Sequence, residues 1–236
     1  MNLEVKKMSV GNKILKSKER LPQEKLEGLK GIPAANIGDA SNRIACLYGS
    51  LIAYNHNPIL GQAYTVRLTA GDNLFLYYAI MHAEPGDIIV VDGNGYLGRA
   101  LMGEIMSQLA IQKEIGGFII DGAIRDPKEL SKLSIPIFAK GVSPNGPYKN
   151  GPGEINVPVS IDGQVIMPGD ILAGDEEGIA IIHPEDLEMV TQEAKKIVIK
   201  EANMKQQIQL KGTLDLSWMY EKLKEIKTEI EGEEYV

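Results

Sequence analysis

The sequence predicts an α/β fold with strands that are at least partly parallel. Between residues 63 and 141, short apolar runs typical of buried strands alternate with segments whose apolar residues recur at helical spacing. Such alternation favours a sheet covered by helices. After Gly141 the chain becomes rich in Gly and Pro, with short strands between turns, so we expect this half to be mostly β.

The helices and strands before residue 115 follow from local patterns. PQEKLEGLKGI begins the ordered part, and Asp39 can cap the first turn of a helix over ASNRIACLYG. AYTVRLTAG alternates apolar and polar residues like a strand, whereas DNLFLYYAIMHA has helical spacing. PGDIIVVDG predicts a short buried strand. A helix is expected from Gly98 to Glu114, where apolar side chains share one stripe.

Further strands and helices are predicted beyond residue 115. GGFIIDG and SIPIFAKG predict two more buried strands, and Pro127 between them opens a helix because proline fits the first helical turn. From Pro184 onward two helices are expected, one to about Gln207 and one over residues 214 to 231.

Three segments are predicted along the chain. Residues 1–30 form a charged N-terminal tail or arm, residues 31–212 form the main domain, and residues 213–236 form a C-terminal helix. Within the main domain Pro-Gly-Asp-Ile occurs twice, from Pro85 and from Pro168. This recurrence indicates two similar β elements.

Composition limits the classes of function. The 236 residues include 32 acidic and 25 basic ones, a formal net charge of −7, without a dense Lys/Arg stripe, so we expect no nucleic-acid partner. No apolar run approaches the roughly 20 residues that span a bilayer, and the N-terminus lacks a secretory apolar stretch. We therefore expect no membrane association and a cytoplasmic location. The single Cys46 excludes an intrachain disulfide and is interpreted as a small buried residue.

Common catalytic motifs are missing. The sequence has no GxxxxGK[ST] loop, no GxSxG elbow and no HExxH. Gly93, Gly95 and Gly98 match GxGxxG after a strand, but no acidic ribose contact follows at a strand end, so a tight glycine turn is the favoured interpretation. The histidines are too scattered for a local metal pair: His56, His82 and His183.

The most informative segment runs from Asp121 to Glu129, after the predicted strand GGFIIDG. The carboxyl ends of α/β strands gather anionic substrates, because helix N-termini point unpaired N–H groups there. Arg125 offers a planar, protonated fork for a carboxylate or enolate oxygen, and Asp126 offers a hard oxygen ligand for Mg²⁺ or Mn²⁺. A surface ion pair or helix cap is the alternative. Four aspartates beside glycines are interpreted as turn formers: Asp72, Asp92, Asp170 and Asp175. For Asp121 a turn role and a role in supporting the site residues both stay open.

A set of short motifs from about Pro33 to about Gly212 is specific when taken together. These motifs are Ile37-Gly38-Asp39-Ala40, Gly71-Asp72-Asn73, Pro85-Gly86-Asp87-Ile88 with Asp92-Gly93, Gly103-Glu104, Asp121-Gly122 with Arg125-Asp126-x-x-Glu129, Gly141-Val142-Ser143-Pro144, Pro168-Gly169-Asp170 and Glu177-Gly178-Ile179-Ala180. The chain thereby resembles the class II 4-hydroxy-4-methyl-2-oxoglutarate/4-carboxy-4-hydroxy-2-oxoadipate aldolases and the related regulator of ribonuclease activity A. The resemblance implies an αββα sandwich with a swivelling-domain-like β core and flanking helices. It also implies a homotrimer or homohexamer with active sites between subunits.

The resemblance also implies roles for individual residues. Asp126 would hold Mg²⁺ or Mn²⁺, and Arg125 would contact the substrate's C2 oxygen. Glu104, where the family often has Asp, would order water beside the metal, and Glu201 would reach a neighbouring subunit's metal through water. Backbone amides would bind the pyruvyl carboxylate at Gly103, Glu104, Ile105 and Met106.

The implied reaction is cleavage of a 4-hydroxy-2-oxo acid, such as 4-hydroxy-4-methyl-2-oxoglutarate, to pyruvate and a carbonyl product through an enolate. Oxaloacetate decarboxylation passes through the same enolate and is an expected side activity. Candidate receivers for the substrate's distal group are Lys140, Asn145 and Lys149. Two alternatives stay open: a Schiff-base aldolase with Lys140 as nucleophile, and a non-catalytic regulator that binds a ribonuclease.

Overall fold

The computed structural model describes residues 10–47 and 49–229. The strands are β1 (Asn12–Ile14), β2 (Cys46–Leu47), β3 (Ile52–Ala53), β4 (Ile59–Leu68), β5 (Ile88–Met102), β6 (Gly117–Ile124), β7 (Ile137–Val142), β8 (Gly153–Ile155), β9 (Val159–Ile161), β10 (Gln164–Ile166), β11 (Ile171–Asp175) and β12 (Gly178–Ile182). The α-helices are α1 (Gln23–Leu26), α2 (Ala34–Ala40), α3 (Leu74–His82), α4 (Glu104–Gln112), α5 (Pro127–Leu130), α6 (Leu187–Lys211) and α7 (Ser217–Glu225).

One large sheet organises the first part of the chain. Its strand order is β2-β12-β11-β4-β5-β6-β7-β3, with β8 paired to both β4 and β1. Strands β4 to β7 are parallel, whereas β11 and β12 are antiparallel to their neighbours. The predicted α/β class with partly parallel strands is therefore confirmed.

The layers form an αββα sandwich, as expected from the resemblance. On one face of β4 to β7, Val91 and Phe118 pack against Leu76 of α3 and Met106 of α4. The opposite face, which includes Ile119, packs on strands β9 to β12 through residues such as Val159, Ile161 and Leu172. The outer side of β11 and β12 is covered by α1, α2 and the start of α6 through Leu26, Ile37 and Val190.

The chain divides into two compact units, residues 1–195 and residues 196–236. Within the first unit, β1 pairs in parallel with β8, and an Arg20 guanidinium nitrogen lies 3.0 Å from Asp87 Oδ1. This part of the predicted N-terminal arm thus lies against the sheet, while residues 1–9 fall outside the described residues. The predicted boundaries at residues 30 and 212 stay predictions. None of the described helices is long and apolar enough to cross a membrane.

Two predicted helices are wrong in position. The helix expected after Asp39 instead ends just beyond it: α2 occupies residues 34–40 and contains Asp39 in its last turn, because Asn42 and Arg43 adopt positive φ. The helix expected from Gly98 begins only at Glu104, since residues 98–102 continue β5 beside β6. Their apolar side chains suited a helical stripe, but their backbone pairs with the neighbouring strand.

The two Pro-Gly-Asp-Ile segments adopt matching turns. Gly86 and Gly169 both have positive φ, at 83° and 88°. Each following aspartate accepts the N–H three residues earlier: Asp87 from Glu84 at 2.9 Å, and Asp170 from Met167 at 2.8 Å. The turns lead into β5 and β11, which pair with β4. The two segments therefore share a turn that opens a strand, although β5 runs parallel to β4 and β11 antiparallel to it.

Candidate active site

A cleft of about 230 Å³ lies where β5 and β6 end in the first unit. Its lining includes Gly103 and Met106 at the start of α4, Arg125 after β6, and Lys149 on the facing loop. The strands place Gly103 and Arg125 close together because residues 100–102 of β5 pair with residues 123–124 of β6. The cleft therefore lies at the carboxyl ends of parallel strands, where α/β proteins bind ligands.

Arg125 and Asp126 form a loose ion pair at this edge. The Arg125 N–H donates to the Met102 carbonyl oxygen at 2.9 Å, which fixes its backbone beside β5. Asp126 adopts left-handed backbone angles, φ 59° and ψ 41°, immediately before α5. Arg125 Nε lies 3.6 Å from Asp126 Oδ2, and the two side chains are 43% and 42% exposed. Both charged groups thus remain open to a ligand.

The start of α4 completes the anionic-ligand site. The Glu104 N–H donates to Asp126 Oδ2 at 3.2 Å. The N–H groups of Ile105 and Met106 lie in the same first turn, where no carbonyl of the helix can accept from them. Because helix N-termini carry partial positive charge, this turn favours a carboxylate in the cleft.

Gly103 allows these groups to approach one another. A Cβ atom there would lie 2.6 Å from Asp126 Oδ2 and 2.7 Å from Arg125 Cγ. Neither distance is compatible with van der Waals contact. A side chain at this position would therefore displace the ion pair.

The loop of residues 145–151 forms the facing wall. The Ala100 N–H donates to the Asn145 carbonyl oxygen at 2.9 Å, and the Tyr148 N–H donates to the Gly71 carbonyl oxygen at 2.8 Å. Lys149 Nζ lies 5.4 Å from the centroid of the Tyr77 ring, which also lines the cleft. The loop thus presents a cation opposite the start of α4.

Two site residues were missed by sequence reasoning. Asn73 donates from Nδ2 to the Leu101 carbonyl oxygen at 2.8 Å and lines the cleft with Tyr77. Asn73 belonged to a motif used only for the resemblance, and Tyr77 resembled any other apolar residue of α3. Their proximity to Arg125 depends on the sheet topology, which local patterns do not specify.

The other predicted acidic residues have different surroundings. Glu104 lies beside Asp126, and its Oε1 accepts a hydrogen bond from Gln108 at 2.8 Å. Glu129 forms an ion pair with Lys132 at 2.7 Å. Glu201 lies on α6 in the second unit, so its contact with a neighbouring subunit's metal stays a prediction.

Lys140 lies in a separate, largely buried cluster. Its ammonium group contacts Asp121 and lies 3.0 Å from Asp162 Oδ1. Burial opposes the charged form, but hydrogen bonds to the two carboxylates outweigh it, so the pKa of Lys140 is raised. A Schiff-base nucleophile must be deprotonated and therefore needs a lowered pKa, so this environment argues against that alternative.

The donor set at Asp126 fits a single divalent cation of the Mg²⁺ type. Among the described residues, no three His, Cys, Asp or Glu side chains converge on one point. Mg²⁺ commonly keeps several waters and takes only one or two protein carboxylates, so one half-exposed aspartate beside a substrate cleft is sufficient. The GxGxxG glycines lie within the irregular part of β5 rather than before a helix, which supports their interpretation as turn residues.

Comparison with known proteins identifies the family. The family model described as RraA-like, Aldolase/RraA, matches residues 34–181. A protein of Halalkalibacterium halodurans, provisionally named 4-hydroxy-4-methyl-2-oxoglutarate aldolase, is 40% identical over 166 residues, 70% of this chain and 79% of that protein. The chain belongs to the RraA-like aldolase family.

Two further matches from Thermus thermophilus carry different names. A protein named 4-hydroxy-4-methyl-2-oxoglutarate aldolase is 33% identical over 122 residues, 52% of this chain and 74% of that protein. The solved structure of the RNA-processing inhibitor RraA has a TM-score of 0.60 and 27% identity, covering 63% of this chain and 91% of that chain. The names among these matches therefore include both an aldolase and an RNA-processing inhibitor.

Proposed function

We propose that the protein is a divalent-metal-dependent lyase that cleaves a 4-hydroxy-2-oxo acid to pyruvate and a second carbonyl product. The observation that carries this proposal is that Arg125 and the start of α4 line one cleft, while the Asp126 carboxylate contacts both of them beside it. Similarity to relatives named as 4-hydroxy-4-methyl-2-oxoglutarate aldolase supports the substrate type.

The protein groups are suited to the two functional groups at the pyruvyl end. The first-turn N–H groups of Ile105 and Met106 can bind the C1 carboxylate, because they carry the positive end of the helix dipole. Arg125 can donate to the C2 oxygen with its planar, permanently charged guanidinium. Negative charge grows on this oxygen during cleavage, so Arg125 stabilises the transition state more than the substrate.

Asp126 is the residue that would hold Mg²⁺ or Mn²⁺. When bound, the ion would supply Lewis-acid stabilisation of negative charge at the C2 oxygen. Glu104, on the adjacent first turn of α4, is placed by this proposal as the residue that orders water near Asp126. The proposal also includes a homotrimer or homohexamer in which Glu201 approaches a neighbouring subunit's site.

The proposed reaction balances without an oxidant or reductant. A base removes the C4 hydroxyl proton, the C3–C4 bond breaks, and its electron pair forms the pyruvate enolate while C4 becomes a carbonyl carbon. Protonation at C3 then gives pyruvate. Oxaloacetate loses carbon dioxide through the same enolate, so decarboxylation is an expected second activity.

The test is pyruvate release from 4-hydroxy-4-methyl-2-oxoglutarate and from oxaloacetate, with Mg²⁺, with Mn²⁺ and with EDTA. We expect metal-dependent release, and a loss of at least about 1,000-fold in the Asp126→Ala variant, as for removal of a central charge-stabilising group. Glu129→Ala is the matched control, because the Glu129 carboxylate pairs with Lys132, whereas that of Asp126 pairs with Arg125. Equal activity of wild type and Asp126→Ala would refute the assignment.

A second candidate function is regulation of a ribonuclease without catalysis. The structural similarity to the RNA-processing inhibitor of Thermus thermophilus favours it. Stoichiometric binding of a ribonuclease, together with no pyruvate release from either substrate under any metal condition, would select this candidate over the lyase.

A further inference from the structure

We propose that Lys149 receives a second carboxylate at the distal end of the substrate and makes the site selective for dicarboxylic 2-oxo acids. This inference rests on the proposed function, which places the pyruvyl end at Arg125 and the start of α4. It adds the recognition of the other end of the substrate. The test below has a binding readout that is independent of turnover.

Lys149 is placed to act on a ligand in the same cleft as Arg125. Among the described residues that line the cleft, Arg125 and Lys149 are the two cationic ones. Arg125 extends from the end of β6, whereas Lys149 lies on the loop of residues 145–151. A methyl group built on Gly146 of this loop would lie 4.0 Å from Arg125 Nη1, so the loop closely faces the guanidinium. A ligand bound at Arg125 therefore meets the loop.

The backbone on both sides of Lys149 is fixed by hydrogen bonds. The Tyr148 carbonyl oxygen accepts from the Asn73 N–H at 3.0 Å. The Asn150 N–H donates to Asp72 Oδ2 at 2.6 Å, and the Gly151 N–H donates to the same oxygen at 3.0 Å. Because the backbone around Lys149 is already ordered, less entropy is lost when the loop binds a ligand. The loop is therefore suited to binding the substrate.

The Lys149 ammonium group also keeps its charge available. It lies 5.4 Å from the Tyr77 ring centroid, a cation–π distance that orients the side chain without neutralising it. Among the residues that the structure describes, no Asp or Glu carboxylate lies within ion-pair distance of Lys149. A ligand carboxylate would supply that partner.

The other two residues considered as partners of the distal carboxylate, Lys140 and Asn145, already make contacts within the protein. Lys140 is neutralised by Asp121 and Asp162. The Asn145 side chain donates from Nδ2 to the Gly98 carbonyl oxygen at 3.0 Å. Neither Lys140 nor Asn145 is among the residues that line the cleft. Of the three candidates from the sequence, Lys149 alone meets the geometric requirement.

Two unreactive ligands isolate the contribution of the distal carboxylate. 2-Oxoglutarate has the five-carbon 2-oxo acid skeleton with a carboxylate at C5, whereas 2-oxopentanoate has a methyl group there. Both lack the C4 hydroxyl group, so neither can undergo the proposed cleavage. Their dissociation constants would be measured by isothermal titration calorimetry at saturating Mg²⁺.

We expect the wild-type protein to bind 2-oxoglutarate at least about tenfold more tightly than 2-oxopentanoate, or about 1.4 kcal/mol. The Lys149→Met variant should lose this preference while its affinity for 2-oxopentanoate changes by less than about twofold. Lys149→Arg should keep part of the preference, since it retains the charge. Lys128→Met, which removes an exposed cation outside the cleft lining, should keep all of it.

Three results would overturn the inference: no preference in the wild type, an unchanged preference in Lys149→Met, or equal weakening of both ligands in that variant. The last result would indicate a structural role. A different result would show that the lyase proposal fails: pyruvate release would be absent, while the preference for 2-oxoglutarate would persist.

Discussion

Two clusters of charged residues, each next to or on β6, differ in solvent exposure and in how closely their opposite charges pair. Arg125 and Asp126, after the strand, are 43% and 42% exposed at their side chains, with 3.6 Å between Nε and Oδ2. Lys140 is 21% exposed and pairs with Asp121 and Asp162, which are 7% and 19% exposed. Solvent access and incomplete pairing therefore distinguish the candidate site from a structural ion cluster.

The closed cluster connects separate parts of the first unit. Asp121 lies on β6 and also accepts the Gly95 N–H at 2.8 Å, which holds the irregular part of β5. Asp162 lies between β9 and β10 and accepts a hydrogen bond from Ser50. Removal of Lys140 would leave two acidic groups near each other without their shared cation. Its principal contribution is thus to stability.

The largest effect on stability is expected from Lys140→Met. Loss of the cation should lower the free energy of unfolding by about 3 kcal/mol, because breaking a largely buried ion pair leaves uncompensated charge. Pyruvate release per folded molecule should stay within about threefold of wild type. Urea denaturation and a metal-dependent activity assay would measure the two quantities. Complete loss of activity in a folded variant would instead favour the Schiff-base alternative.

A double substitution and a pH series sharpen this prediction. Lys140→Met with Asp121→Asn should recover part of the lost stability, since one uncompensated carboxylate is then removed. In the wild type, the raised pKa of Lys140 means that the native state holds its proton more tightly than the unfolded chain. This stabilisation is full below about pH 10.4 and is lost as pH rises through the native pKa. The Lys140→Met variant should lack this alkaline component.

Gly103→Ala should affect the open pair rather than the closed cluster. The added methyl group would lie 2.6 Å from Asp126 Oδ2, so the ion pair must move. We expect about a 100-fold fall in kcat/KM, since small displacements of catalytic groups have effects of this size. Glu129→Ala again serves as the control, because the Glu129 carboxylate pairs with Lys132. Similar activities in both variants would contradict the proposed geometry.

Local sequence patterns predicted most strands and the chemical character of the site. Buried runs such as GGFIIDG correctly predicted β6, and Arg125, just after this strand, lines a cleft. Positions that depend on tertiary pairing were predicted less well. Residues 98–102 have apolar spacing compatible with a helix, yet they extend β5 because β6 provides backbone partners.

The aspartates show the same limit. Asp72 and Asp170 have the predicted turn role, since each accepts nearby backbone N–H groups. Asp121 also looked like a turn former, but its carboxylate holds Lys140 from the neighbouring strand. Sequence spacing alone could not reveal this cluster, because Asp162 lies on a separate hairpin and contacts Lys140 only in the folded chain. The same restriction applied to Lys149, whose position opposite Arg125 requires the folded loop.

Asp87 offers a smaller test of how burial and pairing compete. Its side chain is 8% exposed, and burial raises the pKa of this carboxyl to about 6, although the Glu84 N–H and the Arg20 guanidinium lower it. An unfolded aspartate titrates near about 3.9. Between about pH 4 and pH 6 the native state therefore binds more protons than the unfolded state, so rising pH lowers stability across this window.

Asp87→Asn should remove this dependence while keeping an acceptor for the Glu84 N–H. The unfolding free energy of wild type minus that of the variant should fall by about 2 kcal/mol between about pH 4 and pH 6.5, then remain constant. Urea denaturation at several pH values would measure it. Arg20→Met should extend the fall to higher pH, because the guanidinium lowers the pKa of Asp87. A constant difference between wild type and Asp87→Asn would show that pairing with Arg20 compensates for the burial of Asp87.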